Sequence, residues 1–396
     1  MPGGDVGERG AEASSTPTMA VGVVMSRTTS SRVRHSVEHG GGSWWSKTVW
    51  PVAIIVLSSI VLLEGSGRLF LRLRYGRWHP LEAPFFNRIP VLRKSEWLGW
   101  EYIPNAHGIE RRPDRNIPWS INARGLRESE EYSYGRDGRS KIRILVLGDS
   151  FTAGHGVDES ERWTERLSAQ LGAEVEIINA GVPAYAADQE FMWYRTEGVR
   201  YQPDVVVFAH LEENLVRIGI PYFCYEPKYL KPSLRLDHGQ LATVEPTRLL
   251  QSRIALGYWS LADYVIDRLL LGPVLGSPFA APTQFADRFD KVPLLVEILA
   301  RAQEVARAGQ ASLSVLYLPA PTKALYANRS ELEGRVVAAL RARGIPVFSA
   351  FHPYLDGVSD DELQRLRYDD DGHWRPAGQE RFADIVLPYF RELVAR

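Results

Sequence analysis

The chain has 396 residues, of which 45% are hydrophobic and 24% are charged, a balance typical of folded globular proteins. The formal net charge is −1, with both signs mixed along the chain, which gives no electrostatic reason to expect a nucleic acid as partner. The single cysteine excludes an intramolecular disulfide. Because the chain exceeds one average domain, we expect one large domain with additional segments.

The N-terminal region predicts a tail followed by a membrane anchor. Residues 1–43 are rich in Gly, Ser, Thr, Ala and Arg and should be disordered, because they cannot bury enough apolar surface to offset chain entropy. An anchor at residues 44–73 follows, with residues 48–71 in the membrane, since its apolar run and initial tryptophans suit a bilayer. Glu64 and Arg68 can pair at i,i+4. A buried core helix is the alternative, and the flanking basic residues leave the orientation open.

Beyond an irregular lead-in at residues 74–140, apolar runs alternate with amphipathic stretches. We predict an α/β domain over residues 141–396, a three-layer αβα sandwich around a five-stranded parallel sheet, with an insertion at residues 217–291. The short, β-branched runs are typical of strands buried on both faces, and the alternation favours a doubly wound arrangement. The predicted strands are 142–148, 175–181, 205–210, 313–319 and 345–351, and the predicted helices include 162–171, 292–308 and 330–343.

The first chemical signal is the segment ILVLGDSFTAGHG, in which Ser150 follows a predicted strand by two residues. Ligands bind beyond the carboxyl ends of the strands in such sheets, so a nucleophile here is well placed. The Ser150 hydroxyl needs a base to take its proton, and its backbone N–H could help to bind an oxyanion. The alternative is that Ser150 only caps the following helix.

The second signal is YDDDGHWRPAG, which precedes the final predicted helix. Asp370 lies three residues before His373 and could orient the imidazole, so that the other ring nitrogen acts as a base. Asp369 and Asp371 compete for this role, and Asp370 has the better expected reach. A metal site formed by the aspartates and the histidine and a solvated loop remain alternatives.

The third signal is IINAGVPAY, in which Gly181 lies at the end of the second predicted strand. A glycine there allows the backbone to approach a ligand closely and to donate its N–H. Taken alone this is weak, because a glycine after a strand usually serves only to form a turn.

Together the three segments resemble the GDSL/SGNH hydrolase family, over residues 98 to the C-terminus, and the lead-in resembles its membrane-anchored bacterial members. The resemblance implies an SGNH (flavodoxin-like) fold and a triad of Ser150, Asp370 and His373. It also implies an oxyanion hole that includes the N–H groups of Ser150 and Gly181, and a catalytic domain outside the cytoplasm. No metal, nucleotide or organic cofactor is implied.

The segment after the third strand departs from the family pattern. The family has a Gly-x-Asn-Asp block here, whose Asn side chain donates to the oxyanion, whereas this chain reads VVVFAHLEENL. Glu213 falls at the position of that Asn and Asn214 falls one residue late, so Asn214 can serve only if the loop shifts. A carboxylate facing a developing oxyanion would be repulsive.

The expected function is a membrane-anchored serine esterase, acting through an acyl-enzyme on O-acylated glycan or lipid of the cell envelope. One alternative is an O-acyltransferase of an envelope polysaccharide, which would transfer the acyl group to a sugar. Another is a non-catalytic binding module with the same fold, for which the altered Glu213/Asn214 segment is the only support.

Overall fold

The computed structural model describes residues 45–75, 91–112, 114–135, 141–223, 226–246, 248, 291–319, 326–369 and 371–395. The predicted tail, Asp370 and most of the predicted insertion therefore lie outside the described residues.

A long apolar helix, α1 (Trp50–Tyr75), follows a short π-helical turn at Trp45–Val49. Its 26 residues correspond to about 39 Å of helix, against a bilayer core of about 30 Å. The segment Lys47–Leu69 is long and apolar enough to cross a membrane, and its apolar window has no buried share, unlike a core helix. Arg68 Nε lies 2.8 Å from Glu64 Oε1, which confirms the predicted pair.

The lead-in contains two antiparallel hairpins. Their strands are β1 (Leu92–Ser95), β2 (Gly99–Tyr102), β3 (His107–Arg111) and β4 (Asn116–Ser120). Large aromatic side chains attach them to the loop after the second central strand. Trp100 Nε1 donates to Pro183 O at 2.9 Å, and Tyr185 Oη donates back to Trp100 O at 2.6 Å. The lead-in therefore packs directly beside the ends of the central strands.

The centre of the fold is a five-stranded parallel sheet, as predicted. Its strands are β5 (Ile142–Gly148), β6 (Val175–Gly181), β7 (Val205–Leu211), β12 (Ser312–Leu318) and β13 (Val347–Ser349), in the spatial order β13-β12-β7-β5-β6. Every residue of β7 is buried, as expected for a strand covered on both faces. The fifth strand is shorter than predicted because the next helix begins at Phe351.

Helices flank this sheet in two packed groups. Their bounds are α2 (Ser150–Ala153), α3 (Trp163–Leu171), α4 (Ala187–Thr196), α5 (Asn214–Arg217), α6 (Val292–Ala308), α7 (Tyr326–Ala342), α8 (Phe351–Leu355), α9 (Asp360–Leu366) and α10 (Pro376–Val394). Helix α3 packs on α10, whereas α6 packs on α4 and α7. Apolar residues at helical spacing explain why both groups of helices pack on the sheet, because each group buries an apolar stripe against it.

The described part of the predicted insertion forms two short antiparallel ribbons. Their strands are β8 (Tyr222–Phe223) with β9 (Glu226–Leu230), and β10 (Ser233–Asp237) with β11 (Gln240–Val244).

The strand order determines which loops meet. β5 pairs with β6 on one side and with β7 on the other, all in parallel. After β5 the chain adds β6 on one side and then crosses to add β7 on the other, so the strand order reverses between β5 and β7. A crevice opens at such a point beyond the carboxyl ends of the strands. Ser150 follows β5 and Asn214 follows β7, so the topology brings these two segments to the same crevice.

Candidate active site

Ser150 is the first residue of α2, directly after the buried end of β5. The N-cap of that helix is Asp149, whose side chain accepts from Phe151 N at 3.0 Å. The helix is therefore capped without Ser150, and the alternative in which Ser150 is only a cap is wrong. The serine hydroxyl instead contacts His373: Oγ lies 2.7 Å from Nε2. This is the distance at which a base can take the hydroxyl proton.

His373 is held by contacts on several sides. Its ring stacks on Phe151 with 4.8 Å between centroids, and the ring of His155 lies 4.3 Å away. The backbone is fixed as well, because Tyr368 N donates to His373 O at 2.8 Å. A base held in one orientation loses little freedom on reaction, which is the condition for efficient proton transfer.

The carboxylate beside the imidazole is Asp371, the residue adjacent to the predicted one. Asp371 Oδ1 lies 3.1 Å from His373 Nδ1 and also accepts the His373 backbone N–H at 3.1 Å. The approach to Nδ1 is an ion-pair contact rather than an aligned hydrogen bond. Asp370 lies outside the described residues, so its role stays a prediction. Since a carboxylate can only accept, this contact favours the tautomer with hydrogen on Nδ1.

Asp371 remains ionised in this environment. Burial raises its pKa, but the neighbouring His155, His373 and Arg112 together outweigh burial and hold the pKa well below its ordinary range. Arg112 Nη1 lies 2.7 Å from Oδ2 of the same carboxylate. A permanently charged carboxylate is what an imidazolium forming on His373 requires.

Asn214 is the first residue of α5 and is fully buried. Its Oδ1 accepts from Arg217 Nη1 at 2.8 Å, and the same nitrogen lies 3.4 Å from Asp149 Oδ2. The amide is thereby placed beside the residue that precedes the nucleophile. Its Nδ2 is buried and has no hydrogen-bond partner among the described residues. A buried, unused N–H₂ is costly unless a ligand satisfies it.

Glu213, the residue expected to disturb an oxyanion, is turned to a different partner. Its Oε1 lies 3.1 Å from Arg329 Nη2, and Glu212 Oε1 lies 2.7 Å from Arg329 Nη1. The Arg329 guanidinium, from α7, thus pairs with both carboxylates. This pairing reduces the repulsion that Glu213 would exert on an oxyanion.

Gly181 packs against the nucleophile turn. A Cβ there would lie 2.5 Å from Ala153 N, closer than side-chain carbons approach a backbone nitrogen, so only glycine fits. Its N–H donates to Asn179 Oδ1 at 2.9 Å, and Asn179 Nδ2 donates to Thr152 O at 2.7 Å. The oxyanion role of Gly181 stays a prediction, and an oxyanion would have to share this N–H with Asn179.

Arg127, which the sequence did not single out, organises the loop after the nucleophile. Its guanidinium is buried, stacks 3.7 Å over Trp119, and donates to three backbone carbonyl oxygens. These are Ala153 O at 2.7 Å, Gly154 O at 2.6 Å and Val157 O at 2.8 Å. These bonds tie the C-terminal end of α2 and the loop that follows it to the lead-in. The lead-in therefore fixes the loop that carries His155.

The sequence motifs also gave no indication of three further residues at this site, which are Glu110, Arg112 and His155. An i,i+2 spacing places the first two on one face of a β-strand, and this pattern could have indicated a shared role. Nothing in that pattern points to Asp371, which lies 259 residues after Arg112.

The ligand atoms of His155, Asp371 and His373 all lie within 4.8 Å of one another, which is the spacing of a metal site. Arg112 occupies one side of the same carboxylate at 2.7 Å. A fixed positive charge there disfavours a second cation. This charge therefore argues against the metal alternative.

No protein-family model matches the chain, and no curated protein is detectably similar to it. Among solved structures, TesA aligns with 63% of this chain and 99% of its own, at 18% identity and a TM-score of 0.39. A member of the lipolytic protein G-D-S-L family from Veillonella parvula aligns with 63% of this chain and 98% of its own, at 12% identity and 0.37. The psychrotrophic esterase EstA from Pseudoalteromonas sp. aligns with 65% of this chain and 100% of its own, at 14% identity and 0.36. These neighbours include proteins of the family that the sequence motifs resemble. At such low identities and TM-scores, they do not show the function of this chain.

Proposed function

We propose that the chain is a membrane-anchored serine esterase that cleaves ester-linked acyl groups of envelope glycan or lipid. The observation that carries the proposal is the 2.7 Å contact between Ser150 Oγ and His373 Nε2, with the ionised Asp371 on the other side of the ring. Nucleophile, base and orienting carboxylate in this order are the arrangement of a serine triad.

In the proposed reaction, Ser150 Oγ attacks the ester carbonyl while its proton moves to His373 Nε2. The carbonyl oxygen becomes an oxyanion, for which Asn214 Nδ2 and the N–H groups of Ser150 and Gly181 are the proposed donors. The alcohol leaves with the proton of His373, and an acyl-enzyme remains. Water then attacks the acyl carbon, gives its proton to His373, and the proton returns to Ser150 as the acid is released. No cofactor or metal takes part in these steps.

The binding-module alternative rested on Glu213 facing the oxyanion. Because Glu213 is engaged by Arg329, that ground is weakened, and esterase chemistry remains the better supported proposal.

A fluorophosphonate probe tests the esterase proposal directly. We expect the detergent-solubilised full chain to be labelled, because the activated serine displaces fluoride from the probe and becomes phosphonylated. Labelling should disappear in Ser150→Ala and in His373→Ala. Circular dichroism of all three proteins is the control for folding. Absence of labelling in folded wild type would contradict the proposal.

The anchor and its orientation form a second part of the proposal. Helix α1 is long and apolar enough to span a bilayer, so we expect the chain to stay in the membrane fraction after alkaline carbonate extraction. Alkaline phosphatase fused to the C-terminus should be active, because it folds only outside the cytoplasm, and fused green fluorescent protein should be dark. The reverse pattern would place the catalytic domain in the cytoplasm.

A further inference from the structure

Arg112 reaches the proposed triad from the lead-in, outside the α/β sandwich. Its side chain is 1% exposed, and Nη1 donates to Asp371 Oδ2 at 2.7 Å. Asp371 uses its other oxygen, Oδ1, toward His373. Arg112 and His155 thus both face Oδ2, His155 with its Nε2 at 3.5 Å, and the shorter bond from the charged Arg112 holds the carboxylate in this orientation. A bond to the second oxygen is the usual way in which a supporting group orients a catalytic one.

Arg112 is itself paired with Glu110 from the same hairpin. Arg112 Nε donates to Glu110 Oε1 at 2.6 Å, and both side chains are buried. Glu110 Oε2 accepts from Trp119 Nε1 and from Gly156 N, each at 3.1 Å. Burial raises the pKa of Glu110, but His155, Arg112 and the Gly156 N–H together lower it below its ordinary value, so it stays ionised.

Arg112 and Glu110 have opposite effects on the stability of the protonated form of His373. An arginine beside Asp371 offsets the negative charge that stabilises an imidazolium, because the interaction energy depends on the sum of nearby charges. A second carboxylate beside that arginine restores the balance. The pair Glu110–Arg112 is neutral as a unit, so it can orient Asp371 without removing its electrostatic effect.

We propose that Arg112 is a positioning residue that holds Asp371 for His373, and that Glu110 neutralises Arg112 so that the charge of Asp371 remains available to the imidazole. This inference rests on the proposed esterase function. It assigns to the lead-in a part of the acid–base machinery that the sandwich alone does not supply.

The other titratable or charged groups around His373 are His155, Asp149 and Arg217, from three different elements. His155 lies on the loop after α2, and burial lowers its pKa to about 4, so it is neutral at neutral pH. Asp149, at the end of β5, also faces His373. Burial raises the pKa of Asp149, while Arg217 lies 3.4 Å from its carboxylate. None of these groups contacts Glu110 except His155, whose Nε2 lies 3.4 Å away.

Glu110→Gln tests the charge balance while leaving Arg112 in place. Removal of one negative charge makes protonated His373 less favourable, so the acidic limb of the kcat/KM profile should move to lower pH by about one unit. The plateau should fall about tenfold, because the imidazolium formed in the transition state is less stabilised. Hydrolysis of p-nitrophenyl acetate between pH 4 and pH 9 measures both.

The double variant Glu110→Gln/Arg112→Met separates positioning from charge. It removes one charge of each sign, so the acidic limb should return to the wild-type position. The plateau should stay low, by about ten- to a hundredfold, because Asp371 is no longer held. A limb that stays at the Glu110→Gln position, or a plateau equal to wild type, would overturn the proposal.

Arg143→Met is the matched control. Arg143 forms a buried pair with Glu176 at the start of β5, at the opposite end of the strand from Ser150. Its loss should lower thermal stability without moving the acidic limb. A purely structural role of Glu110 and Arg112 predicts the same pattern for their variants, and that pattern would refute the inference.

The titration of His373 can be followed without catalysis. In full-length protein labelled with ¹⁵N-histidine, the signal lost in His373→Gln identifies the residue among nine histidines. Its midpoint should fall in Glu110→Gln and recover in the double variant. If wild type fails to react with fluorophosphonate and these midpoints still move, the esterase proposal fails while the charge balance stands. An unchanged midpoint in Glu110→Gln would overturn the proposed charge balance, whether or not the protein reacts with fluorophosphonate.

Discussion

Replacing Asp371 with Asn is expected to lower kcat/KM by about 10⁴-fold, or about 5.5 kcal/mol of transition-state stabilisation. An amide beside Nδ1 can donate a hydrogen bond, which favours the tautomer whose Nε2 already carries hydrogen and cannot accept the Ser150 proton. It also removes the charge that stabilises the imidazolium. Steady-state hydrolysis of p-nitrophenyl acetate measures the loss.

Asp370→Asn is the matched control, since it makes the same chemical change one residue earlier. Among the described residues Asp371 is the carboxylate that contacts His373 Nδ1, so Asp370→Asn should retain activity within about tenfold. The opposite ranking of the two variants would assign the orienting role to Asp370, as its spacing from His373 predicts. Thermal melts should accompany both, because Asp371 also pairs with the buried Arg112.

Asn214→Ala is expected to lower kcat by about a hundred- to a thousandfold, the usual loss on removing one oxyanion donor. Its Nδ2 is buried and has no partner among the described residues. A donor engaged only by the transition state contributes to kcat more than to KM.

Glu213→Gln is the control at the position that the family pattern assigns to the asparagine. Because Glu213 is engaged by Arg329, this change should alter kcat by less than about threefold. A gain in Glu213→Gln together with a small loss in Asn214→Ala would show that the loop has not shifted, and that Glu213 rather than Asn214 lies beside the oxyanion.

Much of the fold could be predicted from the sequence because its signals are local. Continuous β-branched runs between amphipathic stretches identify the buried parallel strands, and four of the five predicted strands agree with the structure within one residue at each end. The fifth strand is shorter than predicted, because Phe351 belongs to the next helix. The sequence does not indicate whether an apolar residue between two elements belongs to the strand or to the helix.

The candidate site could be predicted in part. Ser150 and His373 lie in distinctive segments at the edges of elements, and the structure brings them into contact. The choice among three consecutive aspartates could not be made, because spacing along a turn does not determine which side chain points at the imidazole. The structure shows Asn214 bound to Arg217 and Glu213 paired with Arg329, contacts that the local sequence does not indicate, and the oxyanion role of Asn214 stays a prediction.

The sequence by itself determined the order of strands and helices, the long apolar helix near the N-terminus, and the two segments that carry the proposed nucleophile and the proposed base. These follow from periodicity and local chemistry, which act over a few residues. Only the tertiary structure decided that Arg112 reaches Asp371 and that Arg127 holds the loop after the nucleophile. Such contacts join residues far apart in the chain, and they form because buried charges require partners wherever the fold places them.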